Sequence, residues 1–217
     1  MNIALIGMSG IGKSYWSYKL IKCGFYRYCC DDMIEKKLQH ILFDKNNKRI
    51  SMGKWMGLPY DQDYKNKEKI YLNLEKEELT NILDQLEYNN ENAKPTVVDT
   101  TGSVIYAGEE ICSRLRRLTT TVYLAVSPEA IETMCRKYRK NPAPLIWLDN
   151  YKKQSGETEE DALVRCYRDV VISRHSFYSR LAHISINYDI HSNCNLSAEG
   201  FLKYITDHYS KNDPNLS

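Results

Sequence analysis

"GMSGIGKS" (Gly7–Ser14) follows directly on the apolar run Asn2–Ile6 and opens into a stretch with helical patterning from Lys13. It meets the pattern G-x-x-x-x-G-K-[ST] with Gly7, Gly12, Lys13 and Ser14, and it carries one further glycine, Gly10. Glycines at these places let backbone N–H groups turn inward and approach an anion with no Cβ in the way. A strand before the loop and a helix after it form the context in which this pattern holds nucleotide phosphate. The helix start also directs its positive end at that anion. The reading assigns Lys13 to the β- and γ-phosphates and Ser14 to Mg²⁺, with Gly7, Gly10, Ile11, Gly12 and Tyr15 completing the nucleotide site.

The rest of the chain sets limits on what this loop can serve. Its 217 residues suffice for one α/β domain with a full core. A net charge of +2 argues against a general nucleic-acid binder. No run approaches the roughly 18 apolar residues that a membrane span needs. The first apolar run stops at Gly7 with no basic residues before it, which is too short for a secretory signal. Seven scattered cysteines without a C-x-x-C pair point to reduced thiols in the cytoplasm rather than to disulfides or zinc. The oligomeric state is not legible.

Short apolar runs alternate with longer helical patterns, which predicts βαβ units and a parallel sheet. Strands are expected at Asn2–Ile6, Phe25–Cys29, Pro95–Thr100, Thr119–Val126 and His183–Asn187. Helices are expected at Lys13–Cys23, Asp31–Phe43, Tyr64–Tyr88, Gly108–Leu118, Pro128–Lys140, Thr158–Ala182 and Ser197–Tyr209. In Tyr64–Tyr88 the inner face is read as Ile70, Leu74, Leu79, Ile82, Leu83 and Leu86. Trp55 and Met56 are expected to be packed, and Asp32 with Glu35 reads as a capping box. Residues 1–209 form a single domain, and the tail 210–217 is expected to fray.

The chain lacks the N-K-x-D element with which GTPases read their base and is short for AAA or ABC ATPases, which leaves a small-molecule or nucleotide kinase. "DDMIEKKL" (Asp31–Leu38), "VVDTTGSVIY" (Val97–Tyr106), "TVYLAVSPEAIE" (Thr121–Glu132) and "SRHSFYSRLAHISI" (Ser173–Ile186) resemble, in order and spacing, the landmarks of shikimate kinase. The resemblance runs over roughly Asn2–Tyr209. It implies a three-layer α/β/α P-loop kinase fold with a five-stranded parallel sheet and a mobile lid within about 137–157. It further implies ATP and Mg²⁺ as cofactors and a small hydroxylated acceptor as substrate.

By that resemblance, Asp31 binds the acceptor hydroxyl and assists its deprotonation, Gly102 lies in the acceptor loop, and Arg174 grips an acceptor carboxylate. Arg136 lies over the adenine, and Arg139 is a candidate for the transferring phosphate. Three positions depart from the family pattern. Cys29 stands where an aspartate helps hold Mg²⁺, and Leu72 and Ala143 stand where arginines meet the acceptor. Asp99, at the end of an apolar strand, is the candidate replacement metal carboxylate. Two other readings stay open. One is a nucleoside or nucleotide kinase, with Trp55, Tyr60 and Tyr64 stacking on a second base. The other is a nucleotide-binding module without transfer activity.

Overall fold

The computed structural model describes residues 1–88, 94–141 and 143–212. Strands β1 (Ile3–Ile6), β2 (Tyr26–Cys29), β3 (Thr96–Asp99), β4 (Thr120–Leu124) and β5 (Ile184–Ile186) form one all-parallel sheet in the order β2-β3-β1-β4-β5. Every residue of β1 is fully buried, as expected for a central strand covered on both faces. Helix α1 (Lys13–Ile21) packs with α9 (Ala198–Asn212) on one face, while α4 (Tyr64–Tyr88), α5 (Glu109–Leu118) and α7 (Glu159–Leu181) cover the other. The chain steps from β1 to β2 on one side and returns across β1 from β3 to β4. In open parallel sheets, ligands bind beyond the carboxyl ends of the strands at such a reversal. Gly7–Gly12 occupy that place.

Side chains fix the loop's supports. Trp16 on α1 is fully buried, stacks on Phe201 of α9 at 4.0 Å between ring centroids, and donates its indole N–H to the His191 carbonyl at 2.9 Å. The His191 ring, on the short helix α8 (Tyr188–His191), bonds through Nε2 to the Ala125 carbonyl at 2.8 Å. The carboxyl ends of β4 and β5 are thereby tied to the helix that carries the loop.

Most expected elements are present, and the differences have physical causes. Helix α2 (Cys30–Leu38) stops short of Phe43 because Asp44 accepts the N–H groups of Asn46 and Lys48, both at 2.9 Å, in a turn that pairs Phe43 with Arg49. The expected Asp32–Glu35 capping box does not form. Cys29 is the cap residue of α2, so Asp32 lies inside its first turn. Helix α4 has the expected bounds but a different inner face in its first half. Ile70 is 42% exposed, whereas Tyr64, Glu68, Tyr71 and Glu75 are buried. Trp55 and Met56 are buried in a short helix α3 (Met52–Met56). Helix α6 spans Pro128–Lys140 with Ser127 capping the Ala130 N–H at 3.2 Å. Helix α9 continues through Asn212, and residues 213–217 of the expected tail lie outside the described residues.

Candidate active site

The phosphate loop is built by backbone geometry that only glycine accommodates. Gly7 sits at φ +139°, and a Cβ there would meet the Leu124 carbonyl at 2.9 Å. Gly102, from the loop after β3, lies so close that a Cβ would come within 2.8 Å of the Ser9 backbone nitrogen. The acceptor loop of the resemblance thus rests directly on the phosphate loop. Lys13 is 5% exposed and donates its ammonium to the carbonyls of Gly7 and Met8, both at 3.0 Å. Burial pushes the Lys13 ammonium below its usual value. Asp99 first, and then Asp31, counter that shift. Ile11 is buried, whereas Ser14 and Tyr15 face solvent at the start of α1.

Two carboxylates therefore act on Lys13, in unlike settings. The Asp31 side chain, in the first turn of α2, accepts the Tyr71 hydroxyl at 2.8 Å. Burial raises its proton affinity, while the Tyr71 bond and Lys13 hold it down. Asp99 ends β3 and is 2% exposed. One of its oxygens accepts both the Arg27 guanidinium at 2.7 Å and the Ser17 hydroxyl at 3.1 Å. Arg27 comes from the neighbouring strand β2 and also donates to Ser17 at 2.8 Å and to Asp32 at 3.3 Å.

The two side chains expected to hold Mg²⁺ differ in fitness. Ser14 offers an exposed hard oxygen beside the loop, which suits Mg²⁺. Asp99 is engaged by Arg27. Cys29 is a soft thiol that burial pushes up to about 12, so it stays protonated. Among the described residues, no group of three or more His, Cys, Asp and Glu side chains is placed to hold a metal.

Beyond Asp31 lies a polar cluster around Gly102 and Arg174, both named from the sequence, in which Glu75 was overlooked. Glu75 on α4 is fully buried, bonded to the Thr101 hydroxyl and, at 2.7 Å, to that of Ser103. Burial pushes its carboxyl up to about 8, partly countered by Ser103. Arg174 on α7 is also fully buried. It donates to the carbonyls of Gly102 at 3.0 Å and of Ile146, and its Nε has no partner among the described residues. Tyr178, one turn on, donates to the same Gly102 carbonyl at 2.5 Å.

The middle of the expected lid, Leu145–Trp147, is buried. Glu68 on α4 accepts the N–H groups of Trp147 at 2.6 Å and Leu148 at 2.8 Å, together with the Tyr64 hydroxyl at 2.7 Å. Arg136 and Arg139 on α6 are exposed. Arg136 bonds to Thr133 at 3.2 Å, and Arg139 pairs with Glu160 at the start of α7.

One opening includes loop residues, and two others do not. A pocket of about 200 Å³ is lined by Ser9, Gly10, Lys137, Tyr138 and Leu145. A shallower groove of about 470 Å³ runs between Ala125–Glu129 and Asn187–Asp189, at the carboxyl ends of β4 and β5. A larger groove of about 670 Å³ between α5 and the end of α7 contains no residue of the loop.

No protein-family profile matches the chain, and no curated protein matches it in sequence. Solved structures do match in shape. Shikimate kinase from Acinetobacter baumannii, in complex with shikimate, superposes with a TM-score of 0.60 at 22% identity, covering 98% of this chain and 94% of that one. Shikimate kinase from Bacteroides thetaiotaomicron gives 0.60 at 18%, over 95% and 97%. Dephospho-CoA kinase from Campylobacter jejuni gives 0.52 at 16%, over 98% and 99%. The chain has the shikimate kinase-like P-loop kinase fold. Identities this low establish the fold and leave the roles of individual residues to the local chemistry. In this P-loop kinase fold, Lys13, Asp31, Asp99 and Gly102 come together around the loop, whereas Arg139 is turned to Glu160.

Proposed function

We propose that the chain is an ATP-dependent phosphotransferase that moves the γ-phosphoryl group of ATP to a hydroxyl of a small molecule. The observation that carries this reading is Lys13, buried at the loop with Asp31 and Asp99 both within electrostatic reach. Such a lysine stabilises negative charge on the transferring group, and a nearby carboxylate can take a proton. In the proposed reaction the acceptor oxygen forms a bond to the γ-phosphorus while the bond to the ADP oxygen breaks. The acceptor proton passes to Asp31, whose burial has raised its affinity for one.

The loop amides and Lys13 bind the phosphates. The groove between Ala125–Glu129 and Asn187–Asp189 is the place for the base. Mg²⁺, held through Ser14 and the phosphate oxygens, would neutralise charge on the leaving ADP. Tyr71 orients the Asp31 carboxylate through its 2.8 Å bond. Glu75, Thr101 and Ser103 fix the loop that carries Gly102. Nη1 and Nη2 of Arg174 donate to backbone carbonyls, so the acceptor we propose need not carry a carboxylate, and shikimate is one candidate among hydroxyl compounds.

The test is ADP release from ATP by purified protein across a panel of polyols, hydroxy acids and nucleosides. Saturable stimulation by one class supports the reading. ATP binding with no stimulation by any class supports a nucleotide-binding module instead.

A further inference from the structure

Asp99 ends β3 beside Lys13, where its charge would face that of any bound triphosphate. It does not stand there as a bare anion. The Arg27 guanidinium makes three directed contacts at this spot: Asp99 at 2.7 Å, the Ser17 hydroxyl at 2.8 Å and Asp32 at 3.3 Å. These join β2, β3, the first turns of α1 and the start of α2, the elements that frame the phosphate loop. The parallel register places Cys29 opposite Asp99 and Arg27 opposite Val97, so the long arginine side chain reaches forward along the strand to the carboxylate. A planar, permanently charged fork suits this task where an ammonium would not. Asp99 is 2% exposed, and the Arg27 side chain is 18% exposed, so solvent screens the pair weakly.

We propose that Arg27 is a positioning residue that acts as a built-in counter-cation. It withholds Asp99 from the metal and cancels its repulsion of the phosphates, so the loop binds ATP with little help from Mg²⁺. This inference rests on the phosphotransferase reading for its ligand. It departs from the expectation that Asp99 holds the metal.

The experiment measures ATP affinity by calorimetry, with Mg²⁺ and with EDTA, for the wild-type chain, Arg27→Met and Arg27→Met/Asp99→Asn. The wild type should bind with affinities within about threefold of each other in the two buffers. Arg27→Met should lose about tenfold or more in EDTA and regain part of that with Mg²⁺, the tenfold step corresponding to about 1.4 kcal/mol of uncancelled repulsion. The double variant removes the charge with its partner and should restore metal-free binding. It also serves if Arg27→Met alone fails to fold, because it leaves no buried carboxylate unpaired.

A purely structural Arg27 would lower both affinities alike and leave their ratio unchanged, which overturns the proposal. A wild type that loses more than about thirtyfold in EDTA overturns it as well. The phosphotransferase reading survives both of those results. Absence of ATP binding in both buffers overturns that reading and this inference together.

Discussion

Glu75→Gln is the perturbation whose effect follows most fully from the structure. Glu75 is completely buried, and its carboxyl bonds to Thr101 and Ser103. Burial, chiefly, raises its pKa from 4.5 to about 8. Asp31 adds to the rise, while Ser103, Arg174 and Lys13 oppose it. Between those two values the folded chain keeps this proton and the unfolded chain releases it. The contribution of Glu75 is therefore fully present below about pH 4.5 and is lost as pH rises through about 8.

Within that window the unfolding free energy falls by at most about 1.4 kcal/mol per pH unit from this group, hence by on the order of 3 kcal/mol between about pH 5 and pH 7.5. Glutamine has nearly the same shape and can hydrogen-bond both hydroxyls, but it carries no titrating proton. Urea unfolding of both proteins at the two pH values isolates the effect, because the other titrating groups are common to them. The stability difference should shift by on the order of 3 kcal/mol in favour of Glu75→Gln at the higher pH. A difference that stays constant to within about 0.5 kcal/mol, the range of an ordinary surface substitution, would refute the reasoning.

Three further outcomes follow from the same geometry. Asp31→Asn should lower acceptor-dependent turnover by about a hundredfold or more while ATP affinity changes little, as expected on losing a general base. Equal losses in both would remove its assigned role. Glu68→Ala leaves the N–H groups of Trp147 and Leu148 without their carboxylate acceptor, at a cost of about 2–4 kcal/mol. Faster amide hydrogen exchange at Trp147 and Leu148 should accompany that loss, and unchanged protection would show that the Glu68 bonds do not hold this segment. Tyr71→Phe removes a single hydroxyl from a buried ring. The bond it makes holds the Asp31 pKa down, so the acid limb of the turnover–pH profile should move to higher pH in the variant. An unmoved limb would show that Tyr71 only packs.

The sequence made the loop and its setting legible because that motif is written in residue types with one physical use, glycines for approach and a lysine for charge. The bounds of α4 were equally readable, since a long run of helix formers ends cleanly at both sides. Its buried face was not. A pattern that counts only apolar residues places Ile70 inward and passes over Glu68 and Glu75. Counting tyrosine and glutamate as candidate core residues at i, i+3 and i+4 spacing would have found Tyr64, Glu68, Tyr71 and Glu75. Arg27 was overlooked for a related reason. An arginine within a short strand reads as an edge-strand charge until the neighbouring strand shows a carboxylate two residues further along the register. Within the stretch expected to hold a lid, about 137–157, the Leu-Ile-Trp segment is buried because partners distant in sequence, Glu68 and Arg174, satisfy its backbone.

Calorimetric titration of ATP into the wild-type chain and Lys13→Ala tests the central claim most directly. The account predicts one site in the wild type and a loss of binding of about a hundredfold or more in Lys13→Ala, the size of a lost charge-assisted contact to phosphate. Circular dichroism and unfolding midpoint should stay close to those of the wild type. Absence of binding in the wild type, or equal binding in both proteins, would contradict the account.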